Sequence, residues 1–220
     1  MTTLLVRTHG RWDYLRQAMQ SIDPTPFDRF ILSCDGCWPP FELAGWTVVS
    51  SAERRGLSAN IAQAWSLLGD DEWVFDTEDD FVFNVQPPLE AMRAVLEATP
   101  NLAQMCLERQ PLNPAERANG GLLGADNIPT FTAHNGYPCD AAGQVLQPWR
   151  EQSHLFSYNP HLRKHRRGLF PKGWGGTELE ATAHVRPSGW VFGMWGAQGD
   201  PPMVTHIGTE GGMGSAGWAA

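Results

Sequence analysis

Four acids stand within five residues at Asp76-Thr77-Glu78-Asp79-Asp80, enclosed by the apolar runs Trp73-Val74-Phe75 and Phe81-Val82-Phe83. Carboxylates packed that closely repel one another and cannot be buried unpaired, so a positive partner must sit among them. Hard oxygen ligands at the end of a core strand suit Mg2+ or Mn2+, and such an ion can in turn hold a diphosphate. An acidic loop open to water is the bland alternative. The flanking hydrophobic runs argue against it, because they anchor the acids at a strand edge.

The elements that would position these acids alternate as in an α/β domain. Thr3 to Thr8 reads as a short apolar strand ending at His9-Gly10, and Trp12 to Ile22 has helical spacing stopped by Pro24 and Pro26. Arg29 to Cys34 and Trp46 to Ser50 read as strands. Leu57 to Leu68 reads as a helix, with Ser58 as its N-cap and Gly69 as its stop. Trp73 to Phe75 is the strand that delivers the acids, Pro87-Pro88 opens a helix to about Ala98, and Leu102 to Glu108 reads as a further strand. This order implies a mostly parallel, doubly wound sheet with ligands at the carboxyl ends of its strands. After Arg109, Gly, Pro, Asn and Trp become frequent, and periodicity survives only near Glu178 to Val185. Asn113 to Trp149 reads as long loops with short strands, the texture of a binding surface. No linker divides the chain, so 1–220 is expected to be one domain.

Composition narrows the classes. Hydrophobic content of 42% with 18% charged residues over 220 positions is that of a folded protein with a sizeable core. A net charge of −8 disfavours broad binding to nucleic acid or anionic membrane. No apolar run is long enough to span a bilayer, and Met1-Thr2-Thr3-Leu4 has no signal-peptide layout, so the cytoplasm is the expected location. Cys34 and Cys37 form a single C-x-x-C followed by Pro39-Pro40, with Cys106 and Cys139 far off. A zinc site would need a second pair, and a redox centre would need a helix start, so both read as reduced thiols in a turn.

Six segments in order resemble the family 2-like glycosyltransferases of the GT-A fold. They are Leu4-Leu5-Val6-Arg7-Thr8-His9-Gly10-Arg11, Ser33-Cys34-Asp35-Gly36, Glu53-Arg54-Arg55-Gly56-Leu57-Ser58-Ala59-Asn60, Glu78-Asp79-Asp80, Trp174-Gly175-Gly176-Thr177-Glu178-Leu179-Glu180 and Val204-Thr205-His206-Ile207-Gly208. The third lacks the usual first Asn, and the fourth stands in place of the D-x-D metal motif. Phe156-Ser157-Tyr158-Asn159-Pro160 is similar to the acceptor-side loop of small, phage-type members, whose setting would be the host cytoplasm. The resemblance implies a Rossmann-like α/β sheet flanked by helices, with 1–109 binding a nucleotide sugar and a loop-rich 110–220 binding the acceptor and completing the metal site. It implies donor contacts from Thr8, His9, Arg11, Asp35, Arg55, Asn60, Glu78, Asp79 and Trp174. Asp80 and His206 would hold Mn2+ or Mg2+.

The implied reaction moves a sugar from a nucleotide-sugar donor to an acceptor hydroxyl. A divalent cation on the phosphates would stabilise the leaving group. An inverting enzyme also needs a carboxylate to take the acceptor's proton, for which Glu178 is the candidate and Glu180 the alternate. The acceptor stays open between a glycan, a protein and a modified DNA base. The basic run Arg163-Lys164-His165-Arg166-Arg167 reads either as a solvated face or as a grip on an anionic acceptor.

Plain structural roles compete at several positions. Asp35 also reads as turn chemistry, Arg55 as a surface partner of Glu53, His206 as a structural histidine, and Glu178 as a helix-start acid. Of Trp149, Phe156, Tyr158, Trp174, Trp190 and Trp195, most read as core, with Trp174 the one expected to face ligand. Two rival classes share the pattern: a non-catalytic nucleotide-sugar or glycan-binding module, and a nucleotidyltransferase. The single Gly in Thr8-His9-Gly10-Arg11 argues against the second.

Overall fold

The computed structural model describes residues 1–111, 132–134, 148–152, 155–166, 169–171, 173–197 and 199–208. Strand β1 (Thr2–Thr8) is the buried middle of a parallel group, with six of its seven residues buried. It pairs in parallel with β2 (Arg29–Cys34) on one side and with β4 (Trp73–Glu78) on the other, and β3 (Trp46–Ser50) extends β2. Beyond β4 the sheet mixes antiparallel pairs with one parallel pair. The order is β3-β2-β1-β4-β9-β6-β10-β8-β7, using β6 (Leu102–Cys106), β7 (Thr132–His134), β8 (Trp149–Gln152), β9 (His161–Lys164) and β10 (Val191–Trp195). The expected α/β sheet is present, parallel through its N-terminal half and mixed beyond it.

Side chains alternate across β1 with the period of a strand. Leu4 and Val6 pack with Leu15 of α1 (Trp12–Ser21) and with Met92 and Val95 of α3 (Leu89–Ala98). Leu5 faces the other way, into Ile61 and Trp65 of α2 (Leu57–Trp65) and Ala181 and Val185 of α4 (Glu178–Val185). Trp149, Phe156, Tyr158 and Trp195 are core residues, as the aromatic pattern suggested.

Two sequence expectations need correction. Helix α2 is capped by Gly56 with φ 85 and not by Ser58. The helix start is held from the turn after β2: the Asp35 carboxylate accepts the Arg55 N–H at 2.7 Å and the Gly56 N–H at 2.8 Å. Asp35 can reach them because Gly36 lets the turn press against residues 53 and 54; a Cβ there would lie 2.3 Å from the Arg54 nitrogen. The second correction concerns the first residue of the basic run, which does not lie on a solvated face. Arg163 lies on β9, antiparallel between β4 and β6, and is fully buried.

Strand β4 explains that burial. It runs three residues past Phe75, through Asp76, Thr77 and Glu78, so a carboxylate enters the core. Asp76 accepts from Arg7 Nε and from Trp65 Nε1, each at 3.0 Å, and lies 3.7 Å from Arg163 Nη2. The Arg163 guanidinium also stacks 4.1 Å over the Trp65 ring. Burial alone would raise the Asp76 pKa, but Arg7, His161 and Arg163 hold it below the usual carboxylate range. Lys164 pairs with Asp71 at 3.3 Å. Arg167 and Cys139 lie outside the described residues.

Past the turn after β4, strand β5 (Phe81–Phe83) leaves the main sheet. It pairs antiparallel with β11 (Val204–His206), with Phe81 opposite His206. That register places the end of the described chain against the acid turn.

Candidate active site

Asp79 and Asp80 form the turn between β4 and β5, at the carboxyl ends of the parallel strands. The Asp79 N–H donates to the Arg7 carbonyl at 3.0 Å, and the Thr8 hydroxyl donates to the Asp79 carboxylate. Asp80 Oδ2 accepts from Arg11 Nη1 at 2.6 Å and lies 2.9 Å from His206 Nε2. The Ile207 N–H donates to the Asp80 carbonyl at 2.8 Å and locks the arrangement through the backbone. Arg11 reaches Asp79 with its second terminal nitrogen.

The acids do not titrate alike. Burial pushes Glu78 up to about 7, opposed by Arg7 and reinforced by Asp80. Burial also pushes Asp79 up to about 6 against the pull of Arg11. Asp80 goes the other way: burial works against its charge, but the His206 hydrogen bond and Arg11 outweigh it. One carboxylate thus keeps its charge while its crowded neighbours carry it less readily.

These residues fit a hard divalent cation. Oδ1 of Asp80 is buried without a hydrogen-bond partner, an unused acceptor on a charged group. The 2.9 Å between Asp80 Oδ2 and His206 Nε2 is close to the separation of two neighbouring ligands around an octahedral ion. Ligand distances of about 2.1 Å put such neighbours about 3 Å apart. Among the described residues no three His, Cys, Asp or Glu side chains form a ready-made metal cluster. The cation that the two aspartates hold is the Arg11 guanidinium.

The donor-side residues divide by accessibility. Asn60 is buried, and its amide donates to the Thr8 and Ser33 carbonyls at 3.3 Å each, tying α2 to the ends of β1 and β2. Its side chain works behind the site. Asp35 is likewise occupied by the two backbone donors at the α2 start. His9 Nδ1 lies 3.2 Å from Arg54 Nη2, and burial with the nearby Arg11 and Arg54 brings its pKa down to about 4, so the ring is neutral. Arg55 is exposed and donates to Gln63 at 3.1 Å.

The two candidate base carboxylates differ in their surroundings. Thr177 caps α4 and forms a reciprocal capping box with Glu180, whose carboxylate accepts the Thr177 N–H at 2.7 Å. Glu180 is therefore spent at the solvent side. Glu178 points inward, where Oε1 accepts the Tyr158 N–H at 2.6 Å and the Ser157 hydroxyl at 2.9 Å. Burial raises its pKa, with those two donors and Arg7 opposing. Gly175 permits the approach of this segment to α2, since a Cβ there would lie 2.2 Å from the Ser58 carbonyl oxygen. Trp174 is half-buried, its ring 4.8 Å from His184 and 5.2 Å from Phe170.

Arg7 is the residue that sequence reasoning passed over. Fully buried, it bonds Asp76, lies 3.5 Å from Glu78 Oε1 and stacks 4.9 Å over Tyr158, whose backbone holds Glu178. The available signal was an arginine among apolar residues at the end of a central strand. The Thr177-x-x-Glu180 capping box was also readable.

No family model and no curated protein matches this chain. Among solved structures, GalNAc-T7 with UDP, GalNAc and Mn2+ superposes over 94% of this chain with a TM-score of 0.58 at 11% identity. This chain spans 44% of the length of that one. A mannosyltransferase from Pyrobaculum calidifontis, in complex with GDP-Man and Mn2+, covers 50% of this chain at 16% identity with a TM-score of 0.37, too low to carry an argument. The fold is that of the GT-A glycosyltransferases: a helix-flanked α/β sheet with its acid turn at the carboxyl edge.

Proposed function

We propose that this chain is a metal-dependent glycosyltransferase that moves a sugar from a nucleotide-sugar donor to an acceptor hydroxyl with inversion. The observation that carries the reading is the meeting of Asp80 and His206, residues distant in sequence, through the β5–β11 pairing. Asp80 and His206 would hold Mn2+ or Mg2+, with Asp79 and Glu78 close by; when bound, the ion would offset the charge of the departing diphosphate. Arg11 and exposed Arg55 supply positive charge where phosphates would lie, and Asp35 and Asn60 hold the loop that presents Arg55. Glu178 is the general base. Its raised pKa and its two fixed donors suit a carboxylate that must accept a proton from a neutral hydroxyl near pH 7. GalNAc-T7, whose fold this chain shares, is seen with UDP, GalNAc and Mn2+, in accord with this donor class.

The test is a thermal-shift screen of nucleoside diphosphates and nucleotide sugars with and without Mn2+, on wild type and Asp80→Asn. Wild type should be stabilised by a donor only when Mn2+ is present, and the Asn variant should lose that shift while melting normally alone. Equal donor and Mn2+ binding by both proteins would remove Asp80 from the metal site. Donor binding by wild type without any transfer or donor hydrolysis would instead favour a binding module.

A further inference from the structure

Arg11 sits where a cation belongs. Its guanidinium forks across Asp79 and Asp80, with Nη1 at 2.6 Å from Asp80 Oδ2, and the side chain is 12% exposed. It rises from the N-cap position of α1, yet makes no side-chain capping bond there. Asp80 Oδ2 is shared between this guanidinium and His206 Nε2. An ion held by those two atoms would have to share Oδ2 with the guanidinium, and the two cations would repel. Arg11 and a divalent cation therefore compete for one oxygen.

We infer that Arg11 is a built-in counter-ion of the acid turn, displaced by the divalent cation and then paired with the donor's diphosphate. This rests on the metal reading of Asp80 and His206. In the metal-free protein the fork neutralises two crowded carboxylates, which keeps the turn from flying apart. Its planar five-donor head suits phosphate oxygens as well as carboxylates, and a side chain on a loop can move between them by rotating its own bonds. The ion alone then binds weakly, because it must expel a bonded partner; the ion with a diphosphate binds well, because the expelled group finds a new one.

The test compares wild type, Arg11→Gln and Arg11→Lys for Mn2+ binding without nucleotide, read by electron paramagnetic resonance of free Mn2+. The same proteins are titrated with UDP and GDP at saturating Mn2+ by calorimetry. Arg11→Gln should bind Mn2+ alone at least about 10-fold tighter and the diphosphates at least about 10-fold weaker, each factor being about 1.4 kcal/mol. Arg11→Lys should move the same way by less, and serves if the Gln variant does not fold. In EDTA the Gln variant should melt lower than wild type, and Mn2+ should raise its melting temperature by more. Any other pairing of signs overturns the exchange. Asp80→Asn separates the two ideas: if Mn2+ binding survives that substitution, the metal reading falls and the exchange with it. If Asp80→Asn abolishes binding while Arg11→Gln leaves it unchanged, only the exchange falls.

Discussion

Gly208→Ala should damage the proposed metal site while sparing the fold. Gly208 follows β11, and a Cβ built on it lies 2.4 Å from Asp80 Oδ2, 2.8 Å from His206 Nε2 and 3.0 Å from His206 Cε1. Ordinary contact begins at 3.4 Å, so Asp80 and His206 must give by as much as about 1 Å. Asp80 has little freedom, being buried, bonded to Arg11 and fixed through its carbonyl by the Ile207 N–H. The new methyl thus drives apart the two groups proposed to share an ion. Overpacking of this kind costs about 1 to 3 kcal/mol, which becomes roughly 5- to 150-fold in Mn2+ affinity if the parted geometry must be restored for binding. Calorimetric Mn2+ titration reads the loss, and melting in EDTA checks that the chain folds. Wild-type Mn2+ affinity in the variant would refute the shared-ion geometry; a collapse of melting temperature in EDTA would show that the strain falls on the fold instead.

Three further outcomes are expected. Glu178→Gln should retain donor and Mn2+ binding but lose transfer by roughly 100- to 10,000-fold, whereas Glu180→Gln should keep transfer and lose some helix stability; equal transfer by both variants would take the base role from Glu178. Asp76→Ala strands buried Arg7 and Arg163 and should cost about 3 to 5 kcal/mol in urea unfolding; a loss under about 1 kcal/mol would show that the network does not hold the sheet. Burial, with Arg163 and Arg7 nearby and Asp76 opposing, brings His161 down to about 4. Between about pH 6.5 and 4 the unfolded chain then binds a proton there that the folded chain refuses, so this group's contribution to stability falls as pH falls through that window, while the raised Glu78 and Asp79 act the other way. His161→Gln should flatten this slope, and an unchanged slope would place the proton elsewhere.

The strands and helices of the N-terminal half were legible because their apolar residues repeat with clean periods, as at Leu4, Val6, Leu15 and Met92. The acid turn was legible because carboxylates are rarely so crowded behind a buried run. The contact between Asp80 and His206 rested on the family resemblance, since nothing local to Val204-Thr205-His206 points to Phe81. Strand β9 was not legible at all. The run Arg163-Lys164-His165-Arg166-Arg167 looks like a solvated basic face until Asp76 is placed beside Arg163, and that pairing is a property of the sheet rather than of either segment. The α2 cap failed in the same way, for Ser58 had the right chemistry while the acceptor came from Asp35 in the turn after β2. Information of this kind is spread over residues that meet only in the folded chain.

The place of β9 between β4 and β6 bears on how the chain comes off the ribosome. Strands β1 to β6 are all made by Cys106, but the strand that must lie between β4 and β6 begins only at His161. Until it arrives, β4 presents an open edge with Asp76 and Arg7 short of the partners they have in the finished sheet. The nascent chain must therefore hold a slot open while the intervening stretch is translated, a long-range closure that slows folding and exposes sheet edges. Cutting the chain after β6 would leave that slot permanently unfilled, so the N-terminal half cannot be expected to stand as a soluble fragment. The residue pair that closes the slot, Asp76 with Arg163, is then a latch set late in synthesis.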